Sequence, residues 1–155
     1  MISFRIPMTP RSVQFENRAV IRPAKAGRAA RPGVIASPKK KRYYRDLAKV
    51  ASLYAPATPL EGPVKLLVLF GMPRPKYFDK PKKSPARAAK RVHHSVKPDL
   101  TNMLKAVEDA ISPLGFWLDD CQVSASGARK VYVAPDEEPF ILVSIDTLPL
   151  YVDQR

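Results

Sequence analysis

The chain has 155 residues, 45% apolar and 26% charged, with 17 prolines, one cysteine and a formal net charge of +13. This length and apolar content suit one hydrophobic core, so a single domain over 1–155 is expected, and no run approaches the ~20 consecutive apolar residues of a membrane helix. Cys121 is the sole cysteine, which excludes an intrachain disulfide.

Its thiol is expected to be buried and inert, as free cysteines often are. The N-terminus lacks the charged and apolar pattern of a secretory signal, so a cytoplasmic location is expected. Charge is divided unevenly. Residues 1–98 hold 23 of the 27 Lys and Arg but only four acids, Glu16, Asp46, Glu61 and Asp79, while the remainder holds four basic and ten acidic residues. The first part should attract a polyanion such as DNA. Carboxylates repel phosphate unless a divalent cation lies between them, so the acidic remainder points to metal-assisted chemistry on nucleic acid.

In chain order, the alternation of Ile2 to Ile6 predicts a short half-buried strand. Residues 8–36 lose periodicity and carry Arg11, Arg18, Arg22, Lys25, Arg28 and Arg31 among Pro, Gly and Ala, which predicts a basic Pro-rich loop or arm. Ser37-Pro38 supplies an N-cap and a first-turn proline, and Tyr43, Leu47, Val50 and Tyr54 recur at helical spacing. Pro56, Pro59 and Pro63 close this helix. Val64 to Phe70 is almost continuously apolar, as in a strand buried on both faces, and Gly71 and Pro73 should end it.

A second basic Pro-rich loop is expected at 73–97, with nine Lys or Arg against Asp79 alone. A solubilising surface explains such a run equally well. His93 and His94 are adjacent on an extended chain, point to opposite sides and lack further nitrogen or sulfur ligands for zinc, so no metal role is assigned to them.

The clearest helix is predicted from Thr101 to Ser112, with Met103, Leu104, Val107, Ala110 and Ile111 on one face and Thr101, Lys105, Glu108, Asp109 and Ser112 on the other. Lys105 with acids three and four residues on is ordinarily a set of solvated ion pairs. Asp99 precedes the helix, where it can cap the N-terminus or bind metal. Pro113 and Gly115 should turn the chain so that Phe116-Trp117-Leu118 runs back along the helix. That path would place Asp119 and Asp120 beside its N-terminus, at the start of a strand. Further strands are expected from Cys121 to about Val133 and from Phe140 to Ile145, around an acidic loop at 135–139.

The string Lys97-Pro98-Asp99-Leu100-Thr101-Asn102, a helix bearing Lys105, and Gly115-Phe116-Trp117-Leu118-Asp119-Asp120-Cys121-Gln122-Val123 resemble the RusA family of Holliday junction resolvases. The family pattern is Asp-x-Asp-Asn, a helix with Lys, then Gly-x-Trp-x-Asp-Asp-x-Gln-Val. The likeness is specific from Lys97 to Val123 and agrees in plan elsewhere. It implies a small α+β fold with a mixed sheet of about four strands and two main helices, a homodimer, and Mg²⁺-dependent endonuclease activity on four-way DNA, with Mn²⁺ as a substitute. It also implies that Asp99 and Asp120 are catalytic metal ligands and that Lys105 is the catalytic lysine.

Thr101 stands where the family pattern has its second aspartate, and as a residue it is a good N-cap. Glu108 or Asp119 is expected to supply the missing metal oxygen. Candidate phosphate contacts are Arg74, Lys76, Lys80, Lys82, Lys83 and Arg87, with Lys90, Arg91, Lys97 and Lys130 completing the set. Two other readings stay open: a non-catalytic basic nucleic-acid-binding protein, and a nuclease acting on a wider range of branched DNA.

Overall fold

Alternating apolar residues produce a five-stranded mixed sheet with two helices against one of its faces. The computed structural model describes residues 1–12, 17–22, 31–79 and 90–151. The strands are β1 (Ile2–Ile6), β2 (Asn17–Arg22), β3 (Arg31–Ala36), β4 (Val64–Met72), β5 (Val92–His93), β6 (Val123–Tyr132) and β7 (Phe140–Thr147). The helices are α1 (Pro38–Ala51) and α2 (Leu100–Ile111). The main sheet has the order β1-β7-β4-β6-β5, with β4 and β6 parallel and the other neighbours antiparallel. One core contains Val64, Leu66, Val68 and Phe70 of β4, Leu47 of α1, and Met103, Val107 and Ile111 of α2. Each fully buried side chain of this size contributes about 1.5–3 kcal/mol. None of the helices described is long and apolar enough to cross a membrane.

The expected mixed sheet of about four strands and two main helices is present, with a two-residue β5 as a fifth strand pairing with the end of β6 through Val92↔Tyr132 and His93↔Val131. Three expectations are corrected. Residues 8–36 are not all loop: β2 and β3 form a separate antiparallel pair, Val20 opposite Gly33. Neither segment shows the polar–apolar alternation that revealed the shorter β1. The central strand is not buried on both faces, since Leu67 is 44% exposed on the side away from the helices. Nor does Gly71 end it. β4 continues to Met72, and a Cβ at Gly71 would lie 2.4 Å from the Phe140 ring, so the glycine makes room for a cross-strand aromatic.

Local signals act at both helix starts. Ser37 Oγ accepts from Lys40 N at 3.1 Å, and Pro38 takes the first helical position of α1. The 3₁₀ turn Ser52–Tyr54 prolongs that helix. In α2 the cap is Asp99, whose Oδ1 accepts from Asn102 N at 3.0 Å, so Thr101 lies in the first turn and is not the N-cap. Gly115, at φ 78°, turns the chain after α2 in the left-handed region.

Candidate active site on the second helix

The apolar stripe of α2 faces the core, leaving Lys105, Glu108 and Asp109 on its other side. Lys105 Nζ lies 3.2 Å from Asp109 Oδ1, and Tyr44 of α1 donates its hydroxyl to Asp109 Oδ2 at 3.4 Å. Burial, then the charge and hydrogen bond of Asp109, push the Tyr44 hydroxyl up to about 12. The hydrogen bond it donates to Asp109 is also the main reason the Lys105 ammonium holds its proton more tightly than usual. Burial raises the Glu108 carboxyl; Lys105 opposes this, while Asp120 and Asp109 add to it. Asp120 therefore belongs electrostatically with Glu108 and Lys105.

The return from α2 to β6 is more closely specified than an extended segment. Trp117 bridges to Leu60 and is 2% exposed, and its indole Nε1 donates to Asp120 Oδ1 at 3.2 Å. Asp119 and Asp120 do not begin a strand. Asp119 caps the 3₁₀ turn Asp120–Gln122 by accepting from Cys121 N at 2.9 Å, and hydrogen bonds from the Cys121 thiol first and this amide second lower the Asp119 carboxyl. Gln122 closes the turn from both ends. Its Oε1 accepts from the amides of Leu118 and Asp119 at 2.7 and 3.0 Å, and its Nε2 donates to the carbonyls of Leu60 and Gly62 at 3.0 and 2.9 Å. All the donor and acceptor groups of this amide side chain are thus used to hold the aspartate-bearing turn against the approach to β4.

Asp120 adds its charge to that around Lys105 and Glu108, which lie in the second and third turns of α2. Asp99 lies at the other end of the helix, beside the far end of β6, where Lys130 Nζ reaches the carbonyl of Pro98. Val123 to Lys130 spans roughly 23 Å of strand. Among the described residues, no three His, Cys, Asp or Glu side chains are gathered as a group that could hold a metal ion. Asp99, Asp119, Asp120 and Glu108 are therefore not gathered, three together, in such a group.

The candidate phosphate contacts fall into different environments. Lys76, Lys90 and Lys97 are exposed. Arg74 donates to the carbonyls of Lys90 and Val133 at 3.2 Å and lies over the Phe78 ring. Arg91 is paired with Glu137 and lies 4.9 Å over the Phe140 ring. Lys130 donates to Val96 O and Pro98 O. Lys80, Lys82, Lys83 and Arg87 lie outside the described residues. His93 is exposed, whereas His94 is 8% exposed against Tyr132, with ring centroids 4.5 Å apart. Cys121 is exposed, not buried, because the 3₁₀ turn carries it to the surface.

Sequence reasoning assigned no roles to Trp117, Gln122 or Tyr44, whereas the Lys105–Asp109 pair is the ion pair expected from its spacing. Trp117 and Asp120 are three residues apart, as are Asp119 and Gln122, and Lys105 and Asp109 are four apart; Tyr44 left no local signal. Two helices packed against a mixed sheet in a strongly basic chain make this a small basic α+β domain.

The chain belongs to the endodeoxyribonuclease RusA family, a family of Holliday junction resolvases, whose model matches residues 15–146. It is also similar to the "Uncharacterized protein YqaN" of Bacillus subtilis (strain 168), with 36% identity over 110 residues that cover 70% of this chain and 75% of that protein.

Proposed function

We propose that the protein resolves four-way DNA junctions by paired, symmetric phosphodiester cleavage, using Mg²⁺ at the site shared by Asp120 and Glu108. The observation that carries this reading is the RusA-family match over residues 15–146 of a strongly basic chain, with Lys105 paired to Asp109 on α2 and Asp120 held by Trp117. The donor set fits the ion. Mg²⁺ is commonly held by one or two carboxylates, with waters and substrate phosphate completing its shell, so a three-carboxylate cage is unnecessary. Burial is the main cause of the raised Glu108 carboxyl, and the lesser contributions of Asp120 and Asp109 are negative charge that a cation would offset. When bound, such an ion would stabilise charge on the scissile phosphate and activate water.

The chain's own residues prepare this site. Trp117 fixes one oxygen of Asp120, and Gln122 fixes the turn that carries it. Lys105 stays protonated beside Asp109 and is positioned to donate to a phosphate oxygen as charge builds. Asp99, exposed at the N-terminus of α2 and matching the first aspartate of the family pattern, is the further carboxylate assigned to the ion in this reading. A homodimer would present two such sites about one two-fold axis, matching the two equivalent strands of a junction. Mn²⁺ should substitute, since it shares the preference for oxygen ligands.

A synthetic four-way junction incubated with Mg²⁺ tests the reading, with linear and forked duplexes and Asp120→Asn alongside. Paired nicks in the junction, lost in the variant, support it. Thr101 and the absence of a three-carboxylate group among the described residues favour the second reading, a binding protein without catalysis; junction binding without cleavage would establish that one. Cutting of all branched substrates would indicate a broader nuclease.

A further inference from the structure

We propose that Lys130 is a positioning residue that holds residues 94–98 against the end of β6 and so fixes Asp99, rather than a contact to DNA phosphate. Its backbone carbonyl accepts from His94 N at 3.1 Å, while its ammonium donates to the carbonyls of Val96 and Pro98. One residue therefore grips the segment at three alternate positions. The side chain is half-buried on β6, between Ala128 and the buried Tyr132 of the same sheet face. An ammonium has three donors, and two are used here in charge-assisted bonds, which are roughly twice as strong as neutral ones.

The last carbonyl in this grip directly precedes Asp99. Asp99 in turn accepts from Asn102 N through its side chain and from Met103 N through its carbonyl, at 3.0 and 3.2 Å. Displacing Pro98 would therefore move both the carboxylate and the first turn of α2. The catalytic part of the inference rests on the proposed role of Asp99 in cleavage; the mechanical part does not.

Hydrogen exchange on metal-free Lys130→Met separates these parts. Amides of His94, Asn102 and Met103 should exchange faster by about tenfold or more, with β4 and β7 unchanged. Binding of Lys130→Met to a four-way junction should keep the wild-type salt dependence, and cleavage in Mg²⁺ should lose kcat with little change in KM. Lys130→Arg, which retains charge and donors, should restore part of the protection and of kcat. Unchanged exchange at those three amides, or a uniform rise across the sheet, would overturn the clamp. A salt slope reduced by about one would overturn it in favour of a direct phosphate contact. If the wild-type chain cuts no junction, the catalytic part falls, while exchange still decides the clamp.

Discussion

The Trp117 indole N–H donates to Asp120 Oδ1 at 3.2 Å, joining a ring that is 2% exposed to an exposed carboxylate. The core thus sets the direction of a surface acid. Trp117→Phe keeps an aromatic ring and removes the donor. Its expected stability loss is about 0.5–1.5 kcal/mol for the hydrogen bond, plus the packing cost of the smaller ring, read by urea unfolding. Junction cleavage should fall further than stability does, about tenfold or more, because Asp120 loses its fixed orientation. Wild-type cleavage by a folded Trp117→Phe would show that this bond has no part in the reaction.

Glu108 should show a conflict between folding and activity. Burial raises its folded carboxyl pKa, with Asp120 and Asp109 adding to the effect against Lys105. A carboxyl raised in the fold costs stability when ionised in both states, and the cost disappears as pH falls through the folded value. Glu108→Gln should therefore stabilise the metal-free protein near pH 7, by on the order of 0.5 kcal/mol, with a smaller gain near pH 4. The same change should sharply reduce Mg²⁺-dependent cleavage. Thermal melts at both pH values and a cleavage assay check the two halves.

The acidic loop before β7 predicts the opposite pH dependence. Arg91 holds the Glu137 carboxyl below its ordinary value, against burial, with Ala134 N and Arg5 adding. A lowered carboxyl contributes stability above its unfolded pKa and loses it as pH falls through the folded value. Arg91→Gln should melt below wild type at neutral pH by up to about 1 kcal/mol, and the two curves should converge below about pH 4. A constant difference down to pH 3 would place the contribution of Arg91 in its contact with Phe140 instead.

Cys121 should react with a thiol-specific reagent in the native protein, because its turn is exposed. Its hydrogen bond to Asp119 raises the thiol pKa and slows the reaction at neutral pH. Asp119→Asn should therefore label faster than wild type, as measured by mass spectrometry over time. Labelling only after denaturation would contradict the exposed turn.

Residues that act within one turn or one periodic face could be read in the sequence. Ser37-Pro38, Gly115, the apolar stripe from Met103 to Ile111 and the alternation in β1 and β7 work through neighbours along the chain, so their spacing carries the information. The motif from Asp99 to Val123 and the +13 charge also announced the family and its polyanionic substrate. Tertiary structure alone decided what holds the acids. The turn that carries Asp120 is tied by Gln122 to Leu60 and Gly62, residues sixty positions away, and Asp99 is placed by Lys130, over thirty positions away. Such bonds depend on how β4, β6 and α2 stack, and hydrophobic period along one strand or helix contains no information about that stacking.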